Sequence, residues 1–251
     1  MEMSRSLGAG FDEFAAAFGA GEGFGWHRHD ALFWHGSDAL TRVALPMHLI
    51  DAALDQLGPV AAALSAGGRA LDVGSGYGTP TLAVARHFPQ AGVLGIDYHD
   101  ASVTYARHAA EEAGLADRVR FEVGSATDLP GGGHALVTYF DSLHDLGDPV
   151  CSLVQARAAL APDGAVMLVE PLGADRVEDN LTPSGRMFYA VSTLICTPNA
   201  VSQTADPHGH APLGTQAGEA LLRETAAAAG FTRVRRLPVE APLNLILELR
   251  P

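Results

Sequence analysis

Lysine is absent from the 251 residues, and all sixteen basic side chains are arginine. Without an amine side chain, Schiff-base catalysis is excluded. Cysteine is scarce as well. Cys151 and Cys196 form neither a metal-ligand spacing nor a disulfide framework. No Asp-Asp-Asn pattern suited to a divalent ion is present, so no metal is expected. Long apolar runs are missing: no uncharged stretch approaches the ~20 residues of a membrane span. The start, Met1-Glu2-Met3-Ser4, has no basic region followed by an apolar run, so no secretory signal is read there. The cytoplasm is the expected compartment. Basic charge is also short. Against 29 acidic residues it leaves a net charge of −13. Nucleic-acid affinity comes mainly from Lys and Arg neutralising phosphates, so neither nucleic acid nor an anionic membrane is expected as a partner.

What is present suits a folded enzyme. The chain is 47% hydrophobic and 18% charged, enough to bury one sizeable core. Residues 1–66 read as a mostly helical cap or lid. Phe11, Phe14 and Phe18 recur at helical spacing over residues 1–20, and a glycine-rich stretch ends that helix. A segment dense in Trp and His follows over 26–38. A further helical pattern runs from 39 to 65, interrupted by Pro59. From 67 onward, strand and helix patterns alternate. Strands are expected at 69–73, 93–97, 119–123, 135–140 and 165–169, with helices at 79–88, 100–113 and 149–160 between them. Thr79 is the expected cap of the first of these helices. Such alternation predicts an α/β doubly wound, Rossmann-like sheet with helices on both faces. Residues 172–215 form an insert on the substrate side, with Pro183, Pro198, Pro207 and Pro212 and one helix around 185–194. A helix at 216–229 and strands at 231–237 and 244–249 close the chain.

The strongest motif is Asp72-Val73-Gly74-Ser75-Gly76-Tyr77-Gly78, between the first strand and its helix. Glycines there permit a tight turn and close approach of a ligand to the backbone. The helix N-terminus adds N–H donors and a positive dipole end. The spacing is Gly-x-Gly-x-Gly, not the Gly-x-Gly-x-x-Gly of dinucleotide sites, and an acid precedes it. Asp72 is able to accept from a ligand's ammonium group. Asp97, at the tip of the second strand, is placed to take two ribose hydroxyls.

These residues resemble the class I S-adenosylmethionine-dependent methyltransferases from about residue 68 to the end. The resemblance implies S-adenosylmethionine as cofactor, held by Asp72, Gly74, Ser75, Gly76, Gly78, Asp97 and Tyr98, with Ser125, Ala126 and Phe140 around the adenine. Ser125 stands where the family often has Asp. The resemblance also implies a seven-stranded sheet, mostly parallel, with an antiparallel final strand. Glu178 to Pro183, Ser192 to Pro198 and Asn244 resemble a narrower bacterial group acting on small molecules, whose members usually carry a winged-helix segment in front. A homodimer is compatible with that likeness.

Phe140-Asp141-Ser142-Leu143-His144-Asp145 follows the fourth strand. It lacks the Asn/Asp-Pro-Pro-Tyr/Phe pattern of base methyltransferases. His144-Asp145 resembles the His-Asp pair of small-molecule O-methyltransferases. There the imidazole, with a pKa of ~6.5, removes a hydroxyl proton. Glu170, at the end of the fifth strand, matches the carboxylate that orients it. His144 and Glu170 are therefore the expected catalytic residues. Trp26, His29, Asp141 and Tyr189 are the expected substrate contacts, and His29 is a rival base. The competing role for Asp141 and Asp145 is to cap the helix that follows. The expected reaction is methyl transfer to oxygen or carbon of a small molecule, in secondary metabolism. The alternative is a methyltransferase fold that binds the cofactor but catalyses a cyclisation or rearrangement.

Overall fold

The computed structural model describes residues 2–204 and 212–251, so Pro207 of the insert lies outside the described residues. Seven strands form one sheet: β1 (Arg69–Val73), β2 (Gly92–Asp97), β3 (Val119–Val123), β4 (His134–Phe140), β5 (Leu160–Pro171), β6 (Arg233–Arg236) and β7 (Asn244–Arg250). Their order is β3-β2-β1-β4-β5-β7-β6. The first five are parallel, and β7 runs antiparallel to both β5 and β6. The sequence expectation of a mostly parallel sheet closed by an antiparallel final strand therefore holds.

Alternation along the strands builds two cores. Ala165, Met167 and Val169 of β5 join the cluster that contains α6 (Thr79–His87) and α7 (Asp100–Glu112). Val166 and Leu168 point the other way, toward α8 (Pro149–Ala159) and α11 (Glu219–Ala228). All seven residues of β4 are buried, as an apolar strand covered on both faces must be. The strand expected at 231–237 shrinks to Arg233–Arg236. It is a sheet edge, and Arg233, Arg235 and Arg236 keep that edge solvated.

The helical segment before β1 differs in detail from its sequence reading. The helix expected over 1–20 is two, Glu2–Ala9 (α1) and Phe11–Ala20 (α2), parted at Gly10. The pattern over 39–65 is three helices, because α3 (Ala31–Ala44) starts earlier. Asp30 caps it by accepting from the Phe33 N–H at 3.1 Å. Pro46 and Pro59 then start α4 (Met47–Asp55) and α5 (Pro59–Ser65) rather than interrupting one helix.

The insert is also more helical than expected. Thr182 caps α9 (Pro183–Val191), which runs through a π-helical segment, Ser192–Cys196, into α10 (Thr197–Gln203). Pro198 cannot donate to the preceding turn, and the wider π turn lies just before it.

One cap is corrected. Gly78, not Thr79, occupies the cap position of α6, with φ of 80°. A Cβ at Gly78 would also lie 2.6 Å from the Phe121 ring. Gly78→Ala is expected to lower stability by about 1–2 kcal/mol, the cost of a left-handed L-residue. Urea denaturation checks this as a shift in midpoint at constant slope. An unshifted midpoint would mean that the loop relaxes freely.

Candidate functional site

The strand order reverses between β1 and β4, and in open α/β sheets ligands bind at that switch, outside the carboxyl ends of the strands. A cavity of about 480 Å³ opens there. The glycine loop after β1 forms one wall. A Cβ at Gly74, where φ is 73°, would lie 2.6 Å from Ser142 Cβ, so that turn has no room for a side chain.

Asp72 lies beneath the loop and is 1% exposed. Thr81 Oγ1 donates to one of its oxygens at 2.5 Å and Thr138 Oγ1 to the other at 2.9 Å. Burial pushes its pKa up to about 7, against those two hydrogen bonds. Asp97 closes β2. One oxygen accepts the Gly76 N–H and the other the His99 N–H, each at 2.8 Å. Burial likewise raises its pKa. The Ser75 hydroxyl is buried on the cavity wall with no hydrogen-bond partner.

The end of β4 forms the opposite wall. Asp141 holds a left-handed φ of 50°, the one positive φ outside glycine among the described residues. Its N–H donates to Val169 O at 2.7 Å, and its carboxylate accepts from Asn244 Nδ2 at 2.7 Å. Such strain costs of order 1–3 kcal/mol and persists where the surroundings over-determine it. Burial pushes Asp141 up to about 7. His144 stands one layer back. It is 3% exposed and does not line the cavity. Its Nδ1 lies 2.5 Å from Glu170 Oε2, while Glu170 Oε1 accepts the Leu143 N–H at 2.9 Å. Its Nε2 faces Asp145 Oδ1 at 3.5 Å. Asp145 itself reaches the cavity. Burial works against charge on His144, but the carboxylates of Asp145 and Glu170 outweigh it and hold its pKa well above 6.5. The helix cap that Asp141 or Asp145 could have supplied comes from Asp148, which accepts the Cys151 N–H at 2.8 Å.

The structure brings together every expected cofactor residue except Gly78, which sits behind the loop against Phe121 and Ala106. Trp26 and Asp141 also line the cavity. His29 and Tyr189 do not. His29 stacks on Phe33 at 3.8 Å within the N-terminal helices, and burial pushes its pKa down to about 4. Tyr189 lies on the outer face of the insert helix, beside Phe18 and Glu22.

Sequence reading missed a whole wall. Trp34, Ser37, Asp38 and Thr41 of α3 line the cavity, a helical stripe that a pattern search over 31–44 could have found. Asp38 ties α3 to the loop by accepting from Thr79 Oγ1 at 2.7 Å. Asn199 of α10 was missed too. Its carbonyl oxygen accepts from Tyr98 OH at 2.8 Å and from the Trp26 N–H at 3.1 Å, joining three separate segments above the loop. Six aspartates line the cavity, Asp38, Asp72, Asp97, Asp141, Asp145 and Asp148, and no arginine does among the described residues.

A family model described as a methyltransferase domain matches residues 64–218, well over half of the chain. The chain belongs to this family. Its fold places it among the class I S-adenosylmethionine-dependent methyltransferases. A 27-O-demethylrifamycin SV methyltransferase from Amycolatopsis mediterranei is 31% identical over 139 residues, covering 52% of this chain and 51% of that protein. An erythromycin 3''-O-methyltransferase from Saccharopolyspora erythraea is 39% identical over 72 residues, 29% of this chain and 24% of its own. The chain thus spans about half or less of the curated relatives it matches. An O-methyltransferase family protein from Burkholderia thailandensis shares the fold with a TM-score of 0.72 at 18% identity, over 99% of this chain and 71% of its own.

The methyltransferase's cofactor is S-adenosylmethionine, and the site fits it. The orphaned Ser75 hydroxyl and the loop amides suit its carboxylate, and Asp72 suits its ammonium. A cation over Asp72 favours the ionised carboxylate and lowers its pKa below the value of about 7 in the free protein. Affinity should therefore be weaker on the acid side of neutrality and level off above it. Calorimetry over roughly pH 6 to 8 reads this, since binding must release protons near pH 7. A flat affinity with no proton release would contradict it.

Proposed function

We propose that this methyltransferase transfers a methyl group to a hydroxyl of a neutral or cationic small molecule, in secondary metabolism. The observation that supports the reading is the cavity at the strand switch, lined by the proposed cofactor residues and by Asp145, with His144 and Glu170 one layer behind Asp145 and no arginine in the lining among the described residues. When bound, S-adenosylmethionine supplies a sulfonium-activated methyl. Asp97 holds its ribose, Ser75 and the loop amides its carboxylate, and Ser125, Ala126 and Phe140 border the adenine. Trp26 and Asp141 bound the acceptor. His144, oriented by Glu170, takes the hydroxyl proton on its Nε2 side, through Asp145 at the cavity wall. The acid-lined cavity and the net charge of −13 speak against nucleic acid and anionic membranes as partners. No helix among the described residues is long and apolar enough to cross a membrane. The proposed setting is the cytoplasm, with a homodimer as the proposed assembly.

The test is incubation with methyl-labelled S-adenosylmethionine and a panel of phenols, sugars and macrolides, followed by mass spectrometry. Label in an ether product supports the reading. A second reading has a specific observation behind it: the [4+2]-cyclase SpnF shares the fold, with a TM-score of 0.50 at 25% identity over 68% of this chain. Turnover without label would favour it.

A further inference from the structure

We propose that His144, Asp145 and Cys196 form a binding site for a divalent transition-metal ion. This goes beyond methyl transfer and does not depend on it. Spacing along the chain pointed to no metal, because Cys196 lies far from the other two in sequence. The fold removes that separation. The π-helical segment Ser192–Cys196 carries the thiol to the turn after β4, and the three donor atoms lie within 4.8 Å of one another.

Four features favour an ion over a plain buried cluster. His144 Nε2 and Asp145 Oδ1 stand 3.5 Å apart. Ligand atoms about 2.0–2.2 Å from a tetrahedral zinc lie roughly 3.4 Å apart, so this edge is already the right length. Asp145 Oδ1 is buried with no hydrogen-bond partner. The Glu170 contact is the outer support that metal-bound histidines have, a carboxylate on the ring nitrogen away from the ion. Finally, two carboxylates, Asp145 and Glu170, flank a single imidazole at 3.5 and 2.5 Å, and a divalent ion offsets the charge they bring together.

Imidazole, carboxylate and thiolate together select zinc, cobalt or iron(II) over magnesium or calcium. Three protein ligands leave a fourth position, and Asp145 is the member of the cluster that reaches the cavity. On binding, the S–H bond of Cys196 breaks, an S–metal bond forms, and the proton goes to solvent. In the loaded protein Nε2 holds the ion, so metal loading and the proton uptake proposed for His144 exclude each other.

The test uses cobalt(II) with untagged, chelator-stripped protein. One equivalent should bind and give a thiolate-to-cobalt charge-transfer band with the intense visible bands of a tetrahedral site. Cys196→Ser, a near-isosteric change, should abolish the charge-transfer band and weaken binding at least tenfold. Glu170→Gln should weaken it about 10–100-fold while keeping the band. Circular dichroism and S-adenosylmethionine affinity verify that each variant is folded. No stoichiometric cobalt binding, or binding with the same spectrum and affinity in Cys196→Ser, would overturn the proposal, whatever the labelling experiment shows about methyl transfer.

Discussion

Replacing His144 by alanine is expected to lower turnover by about 10²–10⁴-fold, the usual contribution of a positioned proton acceptor, while S-adenosylmethionine affinity stays within about threefold. The asymmetry follows from the geometry. His144 is one layer behind the wall, bonded to Glu170 and facing Asp145, and it touches none of the glycine loop. Its loss leaves Asp72, Asp97 and Ser75 in place. A pH signature should accompany the effect. The surrounding carboxylates hold the imidazole pKa well above 6.5, so the ring carries a proton at neutral pH. Proton uptake requires its neutral form, so turnover should climb through the alkaline range and level off above that raised pKa. Steady-state rates with the labelled donor, measured across pH in wild type and His144→Ala, check both statements. A variant with full activity, or a rate that falls as pH rises from 7, would remove His144 from the chemistry.

Asp97→Ala should act at the other end of the cavity and on binding rather than rate. Asp97 accepts the Gly76 and His99 amides at 2.8 Å each, so it shapes the loop in addition to its proposed role toward the ribose. Two charge-assisted hydrogen bonds at roughly 1.5–3 kcal/mol each place the loss of cofactor affinity at about 10²–10⁴-fold. Thermal shift with saturating S-adenosylmethionine should then show little stabilisation of the variant, in contrast to His144→Ala. Equal stabilisation of the two variants would take Asp97 out of cofactor binding.

The parts legible in the sequence were those dictated by local pattern. β4 announced itself because a strand covered on both faces is expected to be nearly all apolar, as 135–140 is but for Thr138. The loop after β1 was legible because its glycines sit where φ is positive or a Cβ would collide, as at Gly74. The missed parts depend on long-range convergence. Asp38 and Thr41 gain meaning only when α3 folds over the loop, and the hydrogen bond from Thr79 that joins the two spans 41 positions. His29 looked reactive in a Trp- and His-rich segment, yet it stacks on Phe33 away from the cavity, with its Nε2 buried and unpartnered. Cys196 carried no signal in sequence, since only the π turn of the insert aims it at His144.

The most direct measurement is a calorimetric titration of the purified protein with S-adenosylmethionine and, separately, with NAD. One equivalent of the sulfonium should bind at micromolar concentrations or below, and the dinucleotide should give no heat. Silence toward the sulfonium, or preference for the dinucleotide, would mean that the acid-flanked loop after β1 serves a different ligand.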